Sequence, residues 1–170
     1  MIIGVMSDTH GNLRLMHQAA DQMKALHQAD LIIHVGDDYA DAQALAMAGH
    51  NVRMVPGLWC DAYNNPRIPN RIVVECDGIT ISAAHADKDL RAAELSATIV
   101  LTGHTHVAKI EKLGRSLHVN PGHLKNAKLD RGQRPSFAVI ETSKDEIEVS
   151  ILELDSVVRL SVRSSRADLA

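Results

Sequence analysis

The chain has 170 residues, 45% of them apolar and 23% charged, with a formal net charge of −3. That length and balance describe a globular chain able to bury a real core, not a disordered one. The slight acidity argues against a nucleic-acid or anionic-membrane surface, and an aromatic content of 2% argues against a base-stacking platform. Cys60 and Cys76 are too few for a disulfide framework. No apolar run approaches a membrane span, and the start lacks the basic and apolar regions of a signal peptide, so a cytoplasmic location is expected.

Met1-Ile2-Ile3-Gly4-Val5-Met6 reads as a short buried strand, stopped by Ser7-Asp8-Thr9-His10-Gly11-Asn12. Leu13, Met16, Ala20, Met23 and Leu26 then carry the spacing of an amphipathic helix. Asp8 and His10 therefore sit where a strand hands over to a helix, the end at which open α/β sheets bind ligands. A hard carboxylate oxygen beside an imidazole nitrogen suits a first-row divalent metal, although an Asp that caps a helix would look the same. Leu31 to Val35 is a second buried strand, closed by Gly36-Asp37-Asp38, which leaves Asp37 at a strand end as well. His34 alternates with apolar neighbours inside that strand and reads as structural or as a support behind the ligands, not as a ligand itself.

Asp41 to Gly49 is an Ala-rich helix, and Asn51 to Val55 a third strand closed by Pro56-Gly57. The following stretch, Leu58-Trp59-Cys60-Asp61-Ala62-Tyr63, is a long loop of the kind that folds over a site. From Arg71 the pattern turns to hairpins. Ile72 to Cys76 and Ile79 to Ser82 flank Asp77-Gly78, a strong two-residue turn signal, and His85 follows the second strand. A short helix from Leu90 to Leu95 leads to the strand Ala97 to Thr102, which ends in Gly103-His104-Thr105-His106. Two histidines at i and i+2 in an extended loop face the same way. Lys109 to Leu113 with Leu117 to Asn120, and Ser136 to Glu141 with Ile147 to Leu154, complete the hairpins. Residues 1–160 are expected to form one domain, with a polar, frayed tail over 161–170. His17, His27, His50, His118 and His123 carry no partner pattern and read as surface or packing residues.

Asp8, His10, Asp37, His85, His104 and His106 thus all fall at strand ends, a distribution chance does not readily produce. Two carboxylates and four imidazoles exceed the shell of one metal. They suit a pair of ions that lowers the pKa of a bridging water and holds a phosphoryl group in line.

In this order, Asp8-x-His10, Gly36-Asp37, His85, Gly103-His104-Thr105-His106 and Asn120-Pro121-Gly122 resemble the calcineurin-like metallophosphoesterases, above all their small bacterial and archaeal phosphodiesterase branch. The resemblance spans about residues 1–154. It implies an α/β fold of two mixed β-sheets packed as a sandwich and flanked by helices. It also implies two divalent ions, with Mn expected and Fe, Ni or Zn open. Asp8, His10 and His106 would hold one ion, His85 and His104 the other, and Asp37 would bridge. The implied activity is hydrolysis of a small phosphoester, a phosphodiester first of all, by a bridging hydroxide, with Asp37 and His104 as catalytic groups. Nucleic acid and membrane are not expected as partners; a homo-oligomer stays open. One motif departs. The family has Asn after the glycine of the third strand end, where this chain has Gly57-Leu58-Trp59-Cys60-Asp61. Cys60 is the expected replacement ligand, with Asp61 or water as alternatives. The rival reading is a protein-binding scaffold on the same fold, as in a retromer subunit.

Overall fold

The computed structural model describes residues 1–169. It contains two mixed sheets face to face, as the resemblance implies. The six-stranded sheet runs β11-β10-β9-β1-β2-β3 and the five-stranded sheet β4-β5-β6-β8-β7. In the first, β1 (Ile2–Met6), β2 (Leu31–His34) and β3 (Val52–Met54) are parallel. β9 (Ser136–Thr142), β10 (Glu146–Glu153) and β11 (Val158–Ser165) extend it antiparallel. In the second, β5 (Ile79–Ala84), β6 (Ile99–Leu101) and β8 (Ser116–Asn120) are parallel. The hairpin partners β4 (Arg71–Cys76) and β7 (Lys109–Leu113) form its two edges.

Alternation along each strand divides the apolar side chains between two layers. Ile3, Val5, Ile33 and Ile140 of one sheet meet Ile81, Ile99, Leu101 and Leu117 of the other in the central core. On the outer face of the first sheet, Met6, Ile32, Phe137 and Val139 pack under α1 (Leu13–Ala25) and α2 (Tyr39–Met47). The second sheet's outer face carries only α3 (Ala92–Leu95), over the small cluster of Ala84, Leu90, Ala97 and Val100. Among the described residues, no helix is long and apolar enough to cross a membrane.

Three expectations change. α1 buries Leu15, Met16, Ala19, Ala20 and Met23, while Leu13 and Leu26 stay outside, so its core face lies to one side of the stripe read from the sequence. α2 begins at Tyr39, because the Asp38 carboxylate accepts from the Ala40 amide at 3.0 Å and caps the helix early. Ser161–Ser165 are not frayed: they belong to β11, in register with β10 from Glu146↔Ser165 to Ser150↔Ser161. An edge strand with one face in solvent carries the polar residues that resemble a tail, while Val162 packs on the core and Leu169 is buried after the strand.

Phe137 is the only phenylalanine and is fully buried between β9 and α1. Phe137→Ala should lower stability by about 3–5 kcal/mol, read from the urea midpoint, with the folded secondary structure retained.

Candidate metal centre

The parallel strands of both sheets deliver their following loops to one rim of the sandwich. Asp8 follows β1, Asp37 follows β2, His85 follows β5, and His104 and His106 follow β6. Asp8 is buried at the centre. Its Oδ1 lies 3.3 Å from His106 Nε2 and 3.9 Å from His85 Nε2. His106 Nε2 is 3.0 Å from His10 Nε2, and His10 Nδ1 is 2.9 Å from Asp37 Oδ2. Two sets of donor atoms result, Asp8 with His10 and His106, and Asp8 with Asp37 and His85, each set within 4.8 Å.

The backbone at this rim is unusual. Among the described residues, five of the nine non-glycine residues with positive φ are Asp8, His10, Asp37, His104 and His106. Such conformations cost about 1–3 kcal/mol each and persist only where the surroundings impose them. Two glycines make room for them. A Cβ on Gly103 would meet Ser7 Oγ at 2.0 Å and Asp8 Oδ2 at 2.7 Å, and one on Gly57 would meet the Asp37 carbonyl oxygen at 2.1 Å.

Hydrogen bonds aim the side chains. Asp8 Oδ2 accepts from Ser7 Oγ at 2.6 Å and from the His104 amide at 2.9 Å, which leaves Oδ1 toward the histidines. His85 Nδ1–H donates to the Val35 carbonyl at 2.8 Å, so its Nε2 keeps the free lone pair. His106 Nδ1–H donates to the Asp130 carboxylate with the same effect. Burial pushes the Asp8 carboxyl up, but His106, His85 and Ser7 outweigh it and hold Asp8 below the usual carboxylate range. Burial, with Asp8 nearby, leaves Asp37 raised in spite of His10. The bond to Asp8, helped by Asp130, raises His106 in spite of burial.

Among the described residues, the ion-pair partners of Asp8 and Asp37 are histidines, with no Lys or Arg. Two carboxylates within 4.8 Å repel by about 3.5 kcal/mol at an effective dielectric of ~20. Divalent cations relieve that repulsion, and the mixture of imidazole nitrogens and carboxylate oxygens fits first-row metals.

The comparisons agree with this geometry. Residues 1–145 match the calcineurin-like phosphoesterase superfamily domain. The chain belongs to that superfamily. A phosphodiesterase of Methanocaldococcus jannaschii is 27% identical over 170 residues, covering 90% of this chain and all of its own length. A predicted phosphoesterase of Streptococcus pneumoniae superposes with a TM-score of 0.72 at 26% identity, covering 97% of both chains. Vps29 of Entamoeba histolytica, solved with zinc, superposes at 0.67 and 18% identity over 98% of this chain and 99% of its own, a likeness of fold.

The structure of this superfamily member does not bring every expected ligand together. The exposed His104 lies outside both three-residue sets, its ring 5.3 Å from that of His85. Cys60 is also outside them. A tight turn folds its thiol back to donate to the Gly57 carbonyl at 3.3 Å, and it lines a cavity of about 390 Å³ with Asp38, Tyr39 and Asp61. Trp59 beside it is 86% exposed.

Further residues support the site, and of these only Asn120 belonged to a sequence motif. Asp41 accepts from Thr9 Oγ1 at 2.6 Å and from the Gly11 amide at 2.8 Å, and so clamps both sides of His10. Asn120 donates to the Gly103 carbonyl at 2.7 Å and to Thr105 Oγ1 at 3.1 Å, which fixes the loop of the paired histidines. His123, read as surface or packing, is fully buried with its ring 5.9 Å from that of His106. His34 is structural, as expected. It accepts from the Gly36 amide through Nδ1 at 3.3 Å and faces Thr9 Oγ1 through Nε2 at 3.4 Å.

Burial lowers the His34 pKa from 6.5 to about 4. Its folded pKa lies below its unfolded one, so its contribution is fully present above pH 6.5 and is lost as pH falls toward 4. That contribution is roughly 3 kcal/mol. Urea midpoints measured between pH 7 and pH 4.5 should fall accordingly, and the slope should flatten in His34→Gln.

Proposed function

We propose that this protein hydrolyses phosphodiesters with two divalent ions. Asp8, His10 and His106 would hold one, and His85 and His104 the other. Asp37 would stand between them, since it shares one donor set with His85 and touches His10 of the other. The observation that carries this reading is the pair of close carboxylates, Asp8 and Asp37, whose ion-pair partners among the described residues are histidines. When bound, such a pair of ions makes a water acidic enough to attack phosphorus and draws charge from the phosphate oxygens. The residues of the chain do the rest. The Asp8 and His85 hydrogen bonds hold their donor atoms in one orientation before substrate arrives, so little reorganisation remains at the moment of reaction. His104, exposed at the rim, would meet the phosphoryl group and stabilise its developing charge.

The relative named as a phosphodiesterase supports the diester assignment. Mn, Fe, Ni or Zn suits the imidazole-rich set better than Mg alone, and Mn is the first to test. A second reading, a weakly active binding scaffold, is favoured by one observation: Leu58 follows Gly57 where the family places a neutral amide ligand.

Hydrolysis of bis(p-nitrophenyl) phosphate should require added Mn²⁺ and vanish in excess chelator. No turnover with any of the four metals would favour the scaffold. Asp37→Asn should remove most of the activity, and calorimetric Mn²⁺ titration should show both binding events weakened, because a neutral amide cannot offset two dications. Weakening of one event alone would mean that Asp37 serves a single ion.

A further inference from the structure

The turn Asp130-Arg131-Gly132-Gln133 lies far from His106 in sequence and outside every motif that marks the site. Its ends are tied by paired backbone hydrogen bonds between Asp130 and Gln133, each 2.9 Å. Each end of this turn grips the segment that carries His106. The Asp130 carboxylate accepts from the ring through Nδ1. Gln133 Oε1 accepts from the Ala108 amide at 2.7 Å, two residues beyond His106.

The turn is itself anchored from two directions. His123, fully buried, donates through Nε2 to the Gln133 carbonyl at 3.1 Å, and its Nδ1 has no partner. From the other side comes Arg159 of β11. Its Nη1 donates to Gln133 Oε1 and to Ser136 Oγ, both at 3.2 Å, and its Nη2 to the Arg134 carbonyl at 2.8 Å. Glu153 of β10 fixes the guanidinium in turn, accepting from Nη2 at 2.9 Å and from Nε at 3.3 Å. A planar fork with fixed donors can hold all of these acceptors at once, where a lysine cannot.

We propose that Asp130 is a positioning residue for His106, and that Arg159, from the last strand of the sheet, sets its place through Gln133. Asp130 keeps a proton on Nδ1 of the ring and so turns Nε2 toward Asp8 and the site. Arg159 holds the turn at the height where Asp130 can do so. The inference rests on His106 as a ligand in the proposed function, but the tautomer is a property of the metal-free protein and can be read separately.

The test uses the full chain with ¹⁵N-labelled histidine. Ring ¹⁵N shifts of the metal-free protein should report a protonated Nδ1 for His106. Asp130→Ala should shift His106 toward the other tautomer, and should raise the Mn²⁺ concentration for half-saturation by about 10–100-fold, the usual effect of losing a partner behind a metal-bound histidine. Asp130→Asn keeps an acceptor oxygen, so it should retain the tautomer and most of the affinity. Arg159→Ala and Gln133→Ala should each move the His106 resonances while leaving those of His85 in place, and Arg159→Lys should rescue only in part. An unchanged His106 tautomer in Asp130→Ala would overturn the role of Asp130. Wild-type His106 shifts in both folded variants, Arg159→Ala and Gln133→Ala, would overturn the coupling to β11. If the wild-type protein neither binds Mn²⁺ nor hydrolyses a diester, the proposed function fails while the tautomer measurement still decides this inference.

Discussion

Asp8 is the point at which the two sheets are tied together. Its amide donates to the Gly36 carbonyl after β2, and its own carbonyl accepts from Leu124 beyond β8. Its carboxylate accepts from the His104 amide after β6 and faces His85 after β5. One buried acidic residue thus connects loops that follow four other strands or their neighbours in both sheets. A buried carboxylate without such partners would be costly. Here the cost is offset by hydrogen bonds from Ser7 Oγ and the His104 amide and by the nearby rings of His85 and His106.

The same crowding accounts for the backbone strain. Loops from two sheets can converge on one carboxylate only if the chain turns sharply straight after each strand. Left-handed conformations at Asp8, His10, Asp37, His104 and His106 accomplish those turns. Glycine at 103 and at 57 lets the opposing backbone and side chains approach closer than any Cβ would allow. Strain of this kind survives because it is surrounded by a rigid core, with Ile3, Val5, Ile33 and Leu101 fully buried immediately beneath it. The site is therefore preorganised by the fold, as the chemistry proposed for it requires.

The likeness to both phosphoesterases and Vps29 follows from this division of labour. The sandwich and its rim are a scaffold, and function depends on which side chains the rim presents. In this chain Asp8, Asp37, His10, His85 and His106 lie close together and His104 stands beside them at the rim, while the loop after Gly57 departs and leaves Trp59 in solvent. The chain thus combines a close set of acidic and imidazole groups with an altered wall on one side of it.

Much of this was legible in the sequence. Buried runs such as Leu31 to Val35, the Asp77-Gly78 turn, and Asp or His straight after a strand are local signals, because strand period and turn chemistry act over a few residues. They located the sheets and the six candidate ligands, and the order of the motifs pointed to the superfamily. What tertiary structure alone decided are the long-range pairings. A polar alternation such as Val158 to Ser165 becomes an edge strand only when β10 is there to pair with it. Asp41, Asp130, His123 and Arg159 are ordinary loop, helix or strand residues until folding brings them to Thr9, His106 and Gln133. Cys60 shows the converse: its place in the chain suggested a ligand, but the turn after Gly57 directs the thiol to a backbone carbonyl instead. Residue type and spacing determine which groups can act, whereas orientation depends on contacts between segments a hundred residues apart, and only the packed chain supplies those.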